Sequence, residues 1–392
     1  MKERIWIAGA CRTAIGKFGG TLTGVPVRTL GATVIREVLQ RAGLPSDQVD
    51  EVILGCVIQA GLGQNVARQA ALDAGLPQEI PAYTLNQVCG SGLMSVNQAA
   101  SRILAGEAEV VVAGGMENMS AAPYLLPQGR FGYRMNRGTV EDAMVHDALW
   151  DAFGDYHMGI TAENIAERYG FSREEQDAFA ARSQQRCEAA QKAGRFDEEI
   201  VAVPVRRKKE TILFTQDESP RSGVTPESLA RLKPAFRPDG TVTAGNASSI
   251  NDGAAAVVLV SDRKRKELGL TPLAEWKAGV SVGVDPAVMG LGAAASIQAL
   301  LKKCGRTVSD VDLFEANEAF AAQSLAAERI LGYDPERVNV NGGAIALGHP
   351  VGASGCRILV TLLYELRRRG GGFGVAGLCI GGGMGTAAAV EI

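Results

Sequence analysis

Two spacings of apolar residues alternate along the 392-residue chain. Valine- and isoleucine-rich runs near 49–54, 80–85, 110–114, 311–315 and 375–378 read as strands. Between them lie stretches of helical period. After Ser91, residues Leu93, Val96, Ala100, Ile103 and Leu104 fall on one face; after Ser354, so do Ile358, Leu359, Leu362, Leu363 and Leu366. Both serines are expected N-caps, and the basic run 367–369 before Gly370 suits a helix C-terminus. Short strands alternating with amphipathic helices predict an α/β protein, a sheet covered by helices.

The elements recur. Val49-Asp50-Glu51-Val52-Ile53-Leu54 resembles Val311-Asp312-Leu313-Phe314-Glu315, and Ser91-Gly92 with its helix matches Ser354-Gly355 with its own. Gly115-Met116, after a valine-rich strand, matches Gly383-Met384 after residues 375–378. Three matches in one order, at nearly constant spacing, predict two duplicated α/β halves with mixed sheets. Residues 120–248 break the pattern with polar, charged, proline-containing text, including Arg206-Arg207-Lys208-Lys209, which suits a solvated hairpin face. The expected organisation is 1–119 with 249–270 as one half, 120–248 as an inserted α+β loop domain, and 271–392 as the other half. Residues 251–268 are expected to return to the first half as a strand and a helix.

Charge excludes some functions. The 40 basic and 43 acidic residues leave a net charge of −3, and aromatics are 5%, so neither a phosphate-binding face nor a base-stacking platform is visible. No nucleic-acid partner is expected. No apolar run nears the roughly 18 residues of a membrane span. Residues 5–10 are too short for a signal-peptide core, and Val390-Glu391-Ile392 is no peroxisomal address, so a cytoplasmic protein with no membrane partner is expected. Glycine stands out: 48 of 392 residues, roughly 12% against about 7% in ordinary proteins. The excess clusters late, at Gly342, Gly343, Gly348, Gly352, Gly355 and Gly381-Gly382-Gly383.

Seven scattered cysteines without a CxxC pair suggest neither a disulfide framework nor a zinc ribbon, and no metal site is expected. The histidines are His146, His157 and His349, so any imidazole base is one of three. Cys89, in Asn86-Gln87-Val88-Cys89-Gly90-Ser91-Gly92, sits where a strand runs into a helix. The positive helix end there favours thiolate, and the glycines let a substrate approach; a structural cysteine at a tight turn is the alternative. The repeat sets Cys89 against Gly352, which puts His349 near the equivalent turn of the other half. If the halves pack about a pseudo-twofold axis, thiol and imidazole face each other, an arrangement suited to a base-activated nucleophile. Cys379 opens Cys379-Ile380-Gly381-Gly382-Gly383-Met384-Gly385. Residues 383–388 formally match a dinucleotide fingerprint, but the chain offers no room after them for its βαβ unit. These glycines better suit main-chain N–H groups approaching a carbonyl oxygen. Asn317 and Glu318 form a polar pair in apolar text, with helix capping as the plainer reading.

Val88-Cys89-Gly90-Ser91-Gly92, Asn317-Glu318-Ala319-Phe320, Gly348-His349-Pro350 and Cys379-Ile380-Gly381-Gly382-Gly383 together resemble the signatures of the thiolase family, in family order over essentially the whole chain. Tyr156-His157-Met158-Gly159, with methionine after the histidine, resembles the biosynthetic, short-chain type, in which that residue restricts the acyl pocket. Met94 departs from the basic or polar residue that relatives often carry, a difference bearing on helix packing.

The resemblance implies condensation of two acetyl-CoA to acetoacetyl-CoA and CoA, and the reverse thiolysis, by ping-pong chemistry through acetyl-Cys89. It implies that His349 activates Cys89 and that Cys379 is the acid/base at the second acetyl group. One oxyanion hole would use His349 and a water held by Asn317; the other would use main-chain N–H groups of Cys89 and Gly381. Coenzyme A and acetyl-CoA would be substrates, with no cofactor held permanently. Leu149, His157, Met158, Arg221, Ser228, Phe236, Ala244, Ser248, Ala319 and Phe320 would line the coenzyme site. Residues 123–144 resemble the loop through which relatives form tetramers, so a homotetramer, a dimer of dimers, is implied. Cys89 and Cys379 could also form a reversible disulfide if their Cα atoms lie within about 7 Å. The alternatives are a longer-chain 3-ketoacyl-CoA thiolase of β-oxidation, a carrier-protein-dependent condensing enzyme and a silent acyl-CoA binder. Retention of both Cys89 and His349 argues against the silent binder.

Overall fold

A computed structural model describes residues 3–208 and 210–392. Nine strands carry the body: β1 Ile5–Thr13, β2 Glu51–Gly55, β3 Ala82–Leu85, β4 Val110–Asn118, β5 Asn251–Ser261, β6 Ala274–Gly283, β7 Leu313–Ala316, β8 Phe373–Ile380 and β9 Met384–Glu391. The principal helices are α1 Val27–Ala42, α2 Ser91–Leu104, α3 Met158–Tyr169, α4 Arg173–Lys192, α5 Gly292–Cys304, α6 Ala321–Leu331 and α7 Val351–Arg368. None of the described helices is long and apolar enough to cross a membrane.

The strands run in the order β7-β8-β9-β6-β1-β5-β4-β2-β3, as one mixed sheet rather than two. β1 makes the join: it pairs antiparallel with β5 and, over Ile5 to Ile7, also with β6. Within each half the topology repeats. β2 lies parallel to β4 and β7 parallel to β8, while β5 and β9 run antiparallel to β4 and β8. The ladders set Glu51 beside Val111 and Leu313 beside Gly374, so Gly115 answers to Leu378. The expected match of Gly115 with Gly383 is therefore wrong: β4 runs on to Asn118, whereas Gly383 sits in the turn after β8.

The central layer explains the helix patterns. α2 and α7 share one core with inward residues of both halves: Ile53, Val111 and Val257 from the first, Leu313, Leu378 and Val390 from the second. α7 is buried without interruption from Val351 to Leu366, and its buried polar residues are paired: Thr361 with Glu199, Glu365 with Asn341 and Arg357 with Glu315. β5 is likewise buried along its whole length, because Val258 and Val260 face the α1 side while Val257 and Leu259 face α2 and α7. Leu104 corrects the expected α2 face. It is 41% exposed as the last residue of the helix, where the chain leaves through Gly106.

Neither serine is an N-cap; Gly90 and Pro350 hold those positions. Ser91 Oγ instead accepts from Gln87 N–H at 2.8 Å and donates to the Val88 carbonyl at 2.6 Å, bracing the turn before the helix. Between β4 and β5 lie α3, α4 and short hairpins. Ser172 and Glu175 form a capping box that starts α4. The hairpin of Val203–Arg207 with Glu210–Phe214 leaves Arg206, Arg207 and Lys208 in solvent; Lys209 lies outside the described residues. Met384–Glu391 is a strand antiparallel to β8, so no helix follows Gly383 and the dinucleotide match fails structurally too.

Candidate active site

Cys89 lies in the turn between β3 and α2. Asn86 Oδ1 accepts from Val88 N–H at 2.9 Å, and Val88 adopts φ +45°, a left-handed conformation costly for a β-branched residue, of order 1–3 kcal/mol. The neighbouring Gly90 has a plain reason to lack a side chain. A Cβ there would stand 2.4 Å from Ile380 Cδ1, so the glycine lets the β8 end of the other half close onto this turn.

Main-chain N–H groups of Gly381 and of Cys89 itself reach the Cys89 sulfur. They lower its pKa, but burial outweighs them and pushes the thiol up to about 11. The expected thiolate is thus corrected: Cys89 rests as a protonated thiol, which would need a base before it could attack. Cys379, at the end of β8, is buried, and its thiol is pushed well up by burial and then by the neighbouring Cys89. Both cysteines are free.

An imidazole opens onto the same cavity as Cys89. His349 is 6% exposed, in the turn entering α7, and its N–H donates to Asn251 Oδ1 at 2.9 Å. Its Nδ1 lies 2.6 Å from Ser354 Oγ, and that hydroxyl donates to the Pro350 carbonyl at 2.9 Å. With the hydroxyl hydrogen so committed, Nδ1 carries the ring proton and Nε2 is the free lone pair. Nε2 is buried with no protein partner. Burial, then the Arg357 charge, pushes the imidazole down to about 3, so it is neutral and ready to accept a proton.

Asn317 is 1% exposed, and both atoms of its amide lack a protein partner. Buried orphans of this kind are what a water or a substrate oxygen would satisfy. Glu318 plays a different part. It accepts from Ser183 Oγ, Asn339 Nδ2 and Ile345 N–H, anchoring the short turn ahead of His349.

A cavity of about 370 Å³ opens onto Cys89, His349 and Gly381. Leu149, His157, Met158, Arg221, Phe236, Ala244, Ser248, Ala319 and Phe320 line it. His157 caps α3, its Nδ1 accepting from Gly159 N–H, and stacks on Phe236 with centroids 4.6 Å apart. Phe320 meets Phe236 edge-on. Ser228 does not line the cavity. It is exposed, and its Oγ donates back to Thr225 in the capping box of Pro226–Leu229. Met119, Ile250 and Met289 also line the cavity, and the sequence reading missed them. Ile250 adjoins the expected Ser248 and was within reach; Met289, in the turn before α5, carries no motif. Cys379 packs behind the cavity wall with Met158, Met289 and Phe320.

A thiol and a neutral imidazole on one apolar cavity, with a second buried thiol behind its wall, are the groups that acyl transfer through a cysteine requires. Comparison with known proteins agrees. The thiolase N-terminal domain matches residues 5–263 and the thiolase C-terminal domain residues 270–392, so the chain belongs to the thiolase family, whose members are acyltransferases. It is 60% identical to an acetyl-CoA acetyltransferase of Pseudomonas aeruginosa and 58% to one of Cupriavidus necator, each match covering 98% of both chains. A crystal structure of the Bacillus anthracis acetyl-CoA acetyltransferase superposes with a TM-score of 0.98 at 47% identity, covering 100% of this chain and 99% of that one.

Proposed function

We propose that this enzyme transfers an acetyl group between coenzyme A thioesters, condensing two acetyl-CoA to acetoacetyl-CoA and CoA and catalysing the reverse thiolysis. The observation that carries the reading is the free Nε2 of a neutral His349 opening with Cys89 onto one cavity. His349 takes the Cys89 proton as the sulfur attacks the thioester carbonyl. His349 then hands that proton to the departing CoA sulfur, leaving acetyl-Cys89, and takes the proton of Cys379 once the second acetyl-CoA is bound, which leaves a Cys379 thiolate beside imidazolium. That thiolate removes a proton from the methyl group of the second acetyl-CoA. The resulting carbanion attacks acetyl-Cys89, and the released Cys89 sulfur recovers its proton from His349, which closes the cycle. Burial that raises the Cys379 pKa makes its thiolate a stronger base, as abstraction from carbon demands. The N–H groups of Cys89 and Gly381, and the His349–Asn317 pair through a water, would hold the two thioester oxygens.

The cavity wall from the segment between β4 and β5 would bind the pantetheine and nucleotide, with Arg221 as a phosphate partner. Met158, only 6% exposed beside Cys379, would limit the acyl group to short chains. The loop after Tyr124–Leu125 presents Phe131 and Met135, 90% and 85% exposed, to solvent. Apolar exposure on that scale favours the homotetramer, and light scattering on the purified protein tests it; a monomer would refute it. A cytoplasmic enzyme is the corresponding cellular reading. The deciding assay mixes acetoacetyl-CoA with free CoA, follows loss of the substrate enolate absorbance and maps the trapped acetyl group. Acetyl on a cysteine other than Cys89, or a preference for chains of about eight carbons or more, would overturn the reading.

A further inference from the structure

Glu117, near the end of β4, is wholly buried, yet no cation is among its contacts. An unpaired buried carboxylate is costly unless donors converge on it. Here they do. Oε2 accepts from Val57 N–H and from Gly352 N–H, both at 2.9 Å. Oε1 accepts from Ile58 N–H at 3.2 Å and faces the Cys56 thiol at 3.6 Å. The strand end opposite in the duplicated half has Ile380 at this place, so the fold does not itself demand an acid.

The donors come from the two segments that serve the reaction. Cys56 N–H bonds the Leu85 carbonyl at the end of β3, and Val57 and Ile58 pack against Val88, Cys89 and Val351. Gly352 lies in the first turn of α7, just past His349 and Pro350. The fit at this junction is close. A Cβ on Gly352 would stand 2.5 Å from Glu117 Oε2, and one on Gly115 would stand 2.0 Å from the Gly352 carbonyl oxygen. One carboxylate therefore ties the floor beneath the nucleophile turn to the turn that carries the base.

We propose that Glu117 is a positioning residue for acyl transfer, whose carboxylate fixes the Cys89 turn and the His349 turn relative to one another. The role rests on the thiolase reading given above. Burial raises Glu117 itself to about 7, so above that pH it is ionised, and its charge then adds to the burial that already raises the Cys89 thiol. The groups around that sulfur are the N–H groups of Gly381 and Cys89, the Cys379 thiol, neutral His349 and Glu117 itself.

The test is Glu117→Gln in the full chain, with Glu117→Asp beside it. The amide keeps the shape but turns an N–H toward backbone N–H donors and removes the charge. In Glu117→Gln, kcat for acetoacetyl-CoA thiolysis should fall about tenfold or more while KM stays within about twofold, because alignment is lost and binding is not. Alkylation of Cys89 by iodoacetamide should then show its pH midpoint lowered by about half a unit to one unit, since a nearby negative charge has gone. Glu117→Asp keeps the charge but withdraws it from Gly352, so kcat should drop with the alkylation midpoint nearly unchanged. A Glu117→Gln enzyme with parental kcat, or with reduced kcat and an unshifted midpoint, would overturn the proposal. So would failure of both variants to fold, which would make Glu117 a requirement of assembly alone. Alkylation needs no turnover, so a parent protein inactive in thiolysis would count against the thiolase reading and leave Glu117 to be judged by the midpoint.

Discussion

The turn that enters α2 in one half carries a thiol, Cys89; the equivalent turn entering α7 carries Gly352, with an imidazole just before it. The strand ends differ as much. β4 carries Met116 and Glu117, and runs on to Asn118, where β8 ends on Cys379 and Ile380. Met116 is sealed into the core beneath α1, against Gly31, whereas Cys379 packs with Met158 and Phe320 behind the substrate cavity. The duplicated scaffold thus offers two helix entries and two strand ends, and what packs over each decides its use. α1 turns one strand end into core. The cover over the other leaves a space in which a thiol can meet a substrate.

The sharpest way to break this comparison is to remove the nucleophile. Cys89→Ser should fold and bind CoA esters, because only one atom changes in a half-buried turn, but turnover should fall by roughly 10⁴-fold or more. Steady-state thiolysis and a CoA-binding titration check it; appreciable turnover would mean that the acyl group travels by another residue. Cys379→Ser should separate the half-reactions. Acetylation of Cys89 should survive, read by mass spectrometry of the intact protein, while carbon–carbon bond formation should fall by roughly 10³-fold, since a buried hydroxyl is a poor base at carbon. Loss of both together would make Cys379 part of the first step. His349→Ala should slow acetylation itself by about 10²–10⁴-fold, the usual range for a positioned general base. A fast acetylation burst in that variant would show that the thiol ionises without the imidazole.

Much of this was legible in the chain, for reasons that differ by residue. Cys89, His349, Asn317 and Cys379 stand in short local motifs, and the fold brings all four motifs to one cavity, the last through Gly381, while burying the Cys379 thiol behind the wall. The repeat was visible because the same strands recur, yet Gly115 was aligned with Gly383, since letters alone do not say where a strand ends. Burial was not legible. The thiolate expected at Cys89 is outweighed by desolvation from elements far away in sequence, and Glu117, a single acid between Met116 and Asn118, gains meaning only when Val57 and Gly352 arrive from elsewhere.

A smaller effect tests how tightly the halves close. In Gly90→Ala the new methyl meets the flexible tip of Ile380, which can yield in part, so a loss of about 1–3 kcal/mol is expected. Thermal melting of the two proteins would register it. An unchanged midpoint would show that β8 and the nucleophile turn have room to spare.

The subtlest expectation concerns acid. His349 ordinarily titrates near 6.5 and is held down to about 3 in the folded protein, by burial and then by Arg357. Between those values the unfolded chain binds a proton that the native one refuses, so the stability from this group is full above about pH 6.5 and falls as pH drops toward 3. Glu117 and Glu315 act in the opposite sense. Burial raises them from 4.5 to about 7 and about 8, so the native state holds their protons and their contribution falls as pH rises through that window. In His349→Ala only the first effect disappears. Whatever the cavity costs at pH 7, the variant should gain on the parent by about 2 kcal/mol on going to pH 5. Urea denaturation of both proteins at the two pH values measures the gain directly. A stability difference that does not change with pH would mean that His349 is not held neutral in the folded enzyme, and the imidazole would then no longer be the resting base that Cys89 requires.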